Sequence, residues 1–271
     1  MRRLDLPELA DQPWWPAWAR DAMTGYLHEI ITRAQPYSLV VPRLSALLRD
    51  TGVTHVVDLC SGAGGPWPGL QQALRAAGCA VEVTCSDLAP NQAAARRLGG
   101  AGIRFHQRPV SATAVPSDLT GARTMFSALH HFSDRQVAAI LADAQRAGVP
   151  FAAFEATSRS ARGLLATLVI PIAVLVLMPF VRPRDWRALL LTYLPPVMPV
   201  AIWWDGVVST LRTSSVEELR AIVATLPPGP YAWTVEEIGG GPVPILAVCG
   251  RPADDQRGRS GGIDSIAAGI K

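Results

Sequence analysis

The chain of 271 residues is 49% hydrophobic and only 17% charged, enough apolar material for one large α/β domain and tight for two. The net charge of +3 and the short basic stretches, Arg182, Arg184 and Arg187 in one place and Arg251, Arg257 and Arg259 in another, speak against a nucleic-acid partner, whose grip rests on many clustered phosphate contacts. Cys60, Cys79, Cys85 and Cys249 form neither a Cys-x-x-Cys pair nor a zinc-ligand spacing, and Asp5, Glu8 and Asp11 stand where a secretory leader would need an apolar run, so a reduced, cytoplasmic setting is expected.

In chain order, residues 14–50 read as two helices, the first with Trp18, Met23, Tyr26, Ile30 and Ile31 at helical spacing and the second opening near Pro42. Short apolar strands then alternate with amphipathic helices. A strand at 54–60 precedes a helix at 69–78, closed by Gly78. Strand 80–86 precedes a helix that begins near Pro90, and strand 103–107 follows. Strand 122–129 leads to a helix over 133–148 with Ser133 as its N-cap, then to strand 150–157. This alternation predicts a parallel sheet with helices on both faces. A helix over 214–226 opens with a serine–glutamate capping pattern. Strands 231–239 and 242–250, turned by Gly240 and Gly241, close a domain spanning 51–250, with 1–50 as an N-terminal helical cap and 251–271 as a flexible tail.

The chemistry concentrates in residues 54–67, Thr-His-Val-Val-Asp-Leu-Cys-Ser-Gly-Ala-Gly-Gly-Pro-Trp. An apolar strand ends on Asp58 and runs into Ser61, Gly62, Ala63, Gly64 and Gly65, where glycines let backbone approach a nucleotide closely. This resembles motif I of class I S-adenosylmethionine methyltransferases, an acid followed by spaced glycines, with Asp58, Gly62 and Gly64 matching and Cys60 standing where the first glycine is usual. An NAD-type Gly-x-Gly-x-x-Gly unit would need a third glycine where Trp67 stands. The second strand ends in Asp87, where a carboxylate can accept hydrogen bonds from ribose hydroxyls; the other reading of Asp87 is a helix N-cap before Pro90.

The resemblance covers roughly 50–160 and 214–250. It implies a Rossmann-like α/β fold, a seven-stranded and mostly parallel sheet whose last strand is antiparallel, and S-adenosylmethionine as cofactor. It places Asp58, Cys60, Ser61, Gly62 and Gly64 at the methionine end, Asp87 at the ribose and Leu88, Ser111 and Ala112 near adenine, with Ser127 in the segment beside the methyl group. His130 and His131 lie where an acceptor should approach, as a possible proton acceptor or as packed core; without ligand partners neither reads as a metal site. Glu155, inside an apolar strand, either faces the site rim or pairs with a neighbour such as Arg159. Asp205 is a turn residue before Gly206 or an acceptor-binding group.

Between the fifth strand and the last helix, residues 158–213 form an apolar insertion; 164–181 carries no charge, and a second apolar run covers 188–204. The first run is just long enough to cross a bilayer, but Pro171 and Pro179 interrupt it, and a second crossing would strand Arg182, Arg184 and Arg187 on the wrong side. A lid over the site, or a hairpin dipping into one leaflet, remains. Either way, the expected activity is methyl transfer to a small hydrophobic acceptor. The alternatives are a methyltransferase peripheral to the membrane acting on a lipid or quinone, and a non-catalytic binding module.

Overall fold

A computed structural model describes residues 1–239 and 243–253. One sheet holds β1 (His55–Asp58), β2 (Glu82–Cys85), β3 (Arg104–Phe105), β4 (Ala122–Phe126), β5 (Phe151–Glu155), β6 (Tyr231–Ile238) and β7 (Ile245–Pro252), in the order β3-β2-β1-β4-β5-β7-β6. β1 to β5 run parallel, and β7 enters antiparallel between β5 and β6. The expected seven-stranded, mostly parallel sheet is therefore present. Its strand order reverses on either side of β1, which opens a crevice at the carboxyl ends of β1 and β4, the place where open α/β sheets bind ligands.

The helices are α1 (Ala17–Ala34), α2 (Val41–Thr51), α3 (Trp67–Ala76), α4 (Gln92–Gly99), α5 (Asp134–Ala147), α6 (Ala161–Thr167), α7 (Ile170–Leu177), α8 (Trp186–Tyr193), α9 (Val197–Arg212) and α10 (Val216–Ala224), with a 3-10 turn at Pro36–Val40 before α2. Successive strand residues point to opposite faces. Val56, Ala152, Phe154, Ala247 and Cys249 pack with α2 and α3 on one side. Val57, Phe151, Ala153, Leu246 and Val248 pack with α5 and α10 on the other. Capping boxes at Ser133–Gln136 and Ser215–Glu218 satisfy the first backbone donors of α5 and α10.

A third apolar cluster lies outside the sheet core. Ala22, Met23 and Tyr26 of α1 pack on Val174 and Leu177 of α7, Ala188 of α8 and Ile202 of α9. Two glycines allow this closeness: a Cβ on Gly206 would lie 2.4 Å from Ile170 Cδ1, and one on Gly25 would lie 2.5 Å from Val181 Cγ1. Residues 1–50 thus divide between two bodies, because α1 joins the insertion while Leu44, Leu47 and Leu48 of α2 belong to the sheet core.

Several local expectations change. Asp205 is not a turn residue; it lies inside α9, buried, and the Asp-Gly pair is helical because Gly206 seats Ile170. The helix expected from Pro90 begins at Gln92, and its N-cap is Asn91, whose side chain accepts from the Ala94 N–H, so Asp87 is not the cap. Strand β7 continues through Pro252, past the expected boundary at 250. The turn at Gly240 and Gly241 and the tail from 254 onward lie outside the described residues.

Candidate functional site

The loop after β1 is built on backbone that side chains rarely adopt. Cys60 has φ 55°, Gly62 52°, Gly64 102° and Gly65 50°. The position where the resemblance expects a glycine therefore does require the left-handed region, and Cys60 enters it at a cost of about 1–2 kcal/mol. Gly64 is doubly constrained, since a Cβ there would stand 2.6 Å from Leu98 Cδ1 of α4. Around Gly62 and Gly65, by contrast, there is room: an added Cβ would meet only Thr24 Cγ2 at 3.9 Å, or nothing. Trp67, fully buried at the start of α3, packs edge-on against Phe126 at 5.6 Å between ring centres, filling the space that a third glycine would leave for a dinucleotide turn.

Two acids hold this loop. Asp58 is buried, accepting from Ser61 Oγ at 2.7 Å and Thr124 Oγ1 at 2.7 Å. Burial pushes its carboxyl up to about 6, against those hydrogen bonds and with help from the charge of Asp87. Asp58 is thus a fastener beneath the loop. Asp87 is half-buried; its Oδ2 accepts from Gly62 N at 2.8 Å and its Oδ1 from Ala89 N at 2.9 Å. Each oxygen keeps a further lone pair for a hydroxyl. Leu88 beside it is 68% exposed, an apolar face standing open. The segment with Ser111 and Ala112 is tied to the same strand end, because Val110 N donates to Asp87 O at 2.9 Å. Ser111 Oγ is engaged with Thr113 Oγ1 and the Ala112 side chain is buried, so this segment offers mainly backbone.

At the end of β4, Ser127 also has a positive φ of 44°. Its Oγ accepts from Ala156 N at 3.1 Å and is hydrogen-bonded to Tyr37 Oη at 2.6 Å, which locks the turn. Next come the histidines. Glu155, expected to face the rim or to pair with a neighbour such as Arg159, does pair, but with His130. It is buried, accepts from Ala128 N and Leu129 N at 2.7 Å each, and lies 2.6 Å from His130 Nδ1. Arg159 pairs with Glu218 instead. Burial alone would raise the Glu155 carboxyl; the His130 ring and the two backbone donors outweigh it and hold it below its ordinary value.

The histidines have partners that the sequence did not signal. His130 Nε2 lies 3.7 Å from Glu8 Oε1, and His131 Nδ1 lies 3.1 Å from Asp11 Oδ2. Arg212 Nη1 stands 3.8 Å from Glu8 and 3.5 Å from Asp11, and Nη2 donates to the His131 carbonyl at 3.0 Å. Although burial opposes it, the hydrogen bond to Asp11 and the charges of Glu8 and Asp11 raise the His131 pKa. Ligand atoms of Glu8, His130 and His131 come within 4.8 Å of one another, a spacing that could hold a cation; here the Arg212 guanidinium supplies the positive charge. Asp205, away from the glycine loop, accepts from Leu9 N at 2.6 Å and Ala10 N at 3.0 Å. Burial lifts its carboxyl to about 6, opposed by those donors and aided by Glu8 and Asp11.

The structure therefore brings Asp58, Cys60, Ser61, Gly62, Gly64 and Asp87 into one loop cluster, and Ser127, His130 and Glu155 into a second at the next strand end. His131 and Asp205 belong to the fastening of residues 1–12. Tyr37, Glu8, Asp11 and Arg212 are site neighbours without a sequence signal: Glu8 meets Arg212 across about 200 positions, and Glu8 and Asp11 form no motif. A cleft of about 140 Å³ between α1 and α8, lined by Trp18, Met178 and Arg184 among others, lies in the cap and not at the strand ends.

No protein-family model and no curated protein sequence matches the chain. Solved structures do. The plantazolicin methyltransferase BpumL in complex with SAH is similar over 90% of this chain and 94% of its own, at 9% identity and a TM-score of 0.57. The CMeT domain structure of the citrinin polyketide synthase matches over 90% of this chain at 12% identity and a TM-score of 0.52. The pyocyanin biosynthetic protein PhzM matches over 82% at 15% identity and a TM-score of 0.47. The chain spans 59% of the chain in the citrinin CMeT domain structure and 56% of that of PhzM. With the strand order and the antiparallel β7, the likenesses to BpumL and to the citrinin CMeT domain show that the chain shares the Rossmann-like α/β fold of these structures.

Proposed function

We propose that the protein is an S-adenosylmethionine-dependent methyltransferase acting on a small hydrophobic acceptor. The observation that carries this reading is the Gly62 N to Asp87 Oδ2 hydrogen bond of 2.8 Å, which joins a positive-φ glycine loop to a half-buried carboxylate at the switch point of the sheet. The residues fit the cofactor: the positions above Gly62 and Gly65 are open, Asp87 retains acceptor capacity for ribose hydroxyls, and Leu88 presents an apolar face for a base.

Bound S-adenosylmethionine supplies a methyl group on a sulfonium centre, an electrophile that needs little further activation. The protein's tasks are then to orient the acceptor, exclude water and receive a proton. His130 suits the last task. The Glu155 carboxylate fixes the tautomer with hydrogen on Nδ1, leaving the Nε2 lone pair to take a proton from an acceptor hydroxyl or amine; Glu155 then offsets the charge of the imidazolium. The proton later returns to solvent. Glu155 is itself held by two backbone N–H groups, so the ring is set by a rigid turn. Glu8 occupies the Nε2 side of that ring, so residues 1–12 must part for an acceptor to reach it. The apolar helices α1 and α6–α9 supply a roof suited to a hydrophobic acceptor.

The test is methyl transfer itself. Purified protein with methyl-labelled S-adenosylmethionine and fractions of a lipid-soluble cell extract should label an acceptor, and His130→Ala should slow that labelling by about 10²–10⁴-fold while the protein still binds the cofactor. A folded wild-type chain that neither carries nor binds an S-adenosyl ligand would overturn the proposal.

A further inference from the structure

The insertion buries one side and leaves the other bare. Of the twenty large hydrophobic residues exposed among the described residues, fourteen lie between Leu165 and Trp204. They fall in rows at helical spacing: Leu165, Leu168, Ile172, Leu175 and Val176 along α6 and α7, then Trp186, Leu190 and Tyr193 on α8, and Val197, Val200 and Trp204 on α9. The rows adjoin, because Tyr193 Oη donates to the Leu175 carbonyl at 2.7 Å and Ile170 seats on Gly206. An apolar surface this concentrated on a soluble domain marks a docking site and not chance exposure.

We propose that this face of the cap docks onto an anionic lipid bilayer, lying in the interface without crossing it. The stretch Ala161–Phe180 is long and apolar enough to span, yet its buried residues Val174, Leu177 and Met178 are fastened to α1, α8 and α9. Pulling it through a membrane would break that cluster. Exposed arginines stand at both ends of the run, Arg162 in its first turn and Arg182, Arg184 and Arg187 after it, as suits a helix lying in plane with its cations at the headgroups. Phe180, Trp186, Tyr193 and Trp204 place aromatic rings on the same surface, the residue type favoured at the level of the headgroups.

Charge selects lipid over a second copy of the chain. The insertion holds two acids, and both are engaged: Asp185 with Arg187, and Asp205 with the backbone of Leu9 and Ala10. Arg162, Arg182 and Arg184 pair with no carboxylate among the described residues. Two such faces pressed together would bring arginines together without acids of their own to answer them, whereas phosphate headgroups supply that charge. The docking is independent of the transfer chemistry.

Flotation of the full chain with phosphatidylcholine–phosphatidylglycerol vesicles tests it. Wild type should rise with these vesicles, less with phosphatidylcholine alone, and each of R162Q, R182Q and R184Q should weaken binding about five-fold. The combined Leu168→Gln, Ile172→Gln and Val176→Gln variant should stay at the bottom with its melting temperature kept. Hydrogen exchange on wild type, which needs no variant, should show lipid-dependent protection confined to 161–204. Absence of flotation, equal flotation of the glutamine variant, protection elsewhere, or a lipid-free dimer that the glutamine substitutions dissociate would overturn the proposal.

Discussion

The carboxylate of Glu155 holds the ring of His130 from the side away from Glu8: Oε2 lies 2.6 Å from Nδ1, while Nε2 looks toward Glu8 at 3.7 Å. A dyad of this kind at the end of β4 separates orienting from proton transfer. His130→Ala should lower kcat by about 10²–10⁴-fold, the usual contribution of a general base. Glu155→Gln should leave Ala128 N and Leu129 N an acceptor but lose the charge opposite the imidazolium, lowering kcat with KM for the cofactor unchanged. Steady-state kinetics on a transferred label would decide; wild-type activity in both variants would show that proximity alone suffices.

Under the proposed function Asp87 would carry two duties, ribose binding and the bond to Gly62 N that the structure shows. Asp87→Ala should weaken S-adenosylmethionine binding by about 1–3 kcal/mol. Asp87→Asn, which keeps one acceptor for the loop, should lose less. Calorimetry on both variants separates the two duties, and unchanged affinity in Asp87→Ala would remove the ribose assignment.

The glycines of the loop are unequal. Gly64→Ala would press a methyl into Leu98, itself buried, at φ 102°, and should cost about 2–4 kcal/mol. Gly65→Ala meets nothing within 4 Å at φ 50° and should cost about 1 kcal/mol. Urea unfolding gives both values; the account of the loop fails if the order is reversed.

Asp58 and Asp205 both have carboxyls raised to about 6. Between their ordinary value near 3.8 and about 6, the folded chain binds more protons at these sites than the unfolded chain, so their contribution to stability falls as pH rises through that window. Asp205→Asn should flatten part of this slope in urea midpoints measured across the window. An unaltered slope would mean that Asp205 does not titrate there.

His131 has the same sense for the opposite reason. Its raised pKa reflects stabilisation of the charged ring by Asp11 and Glu8, so its contribution is complete below the ordinary histidine value and is lost as pH rises through the folded one. Residues 1–12 should therefore exchange amide hydrogens faster at alkaline pH than intrinsic chemistry requires. Asp11→Asn should show that looseness already near neutrality.

Much of this was legible in sequence where the signal is local. The β-α alternation, the glycine loop and the acids ending β1 and β2 depend on neighbours within a few positions, and the sheet followed from them. Asp205 misled because Asp-Gly signals a turn, while tertiary packing of Ile170 on Gly206 keeps the helix intact. Glu155 stayed open between a rim position and a pairing because its partner, His130, is 25 positions away. Glu8, Asp11 and Arg212 meet only through the fold, and no spacing rule joins them. The bare outer face of the insertion was equally hidden, since an apolar run does not disclose which of its sides is buried.

Calorimetric titration of S-adenosylmethionine into the wild-type chain and into Asp87→Ala tests the central claim most directly. The account predicts one site in wild type, with a dissociation constant between about 1 μM and 1 mM, the ordinary range for enzyme substrates, and at least a five-fold loss in the variant. A folded wild-type protein that takes up no heat from the cofactor, or a variant that binds it equally well, would contradict a cofactor site at the glycine loop and Asp87.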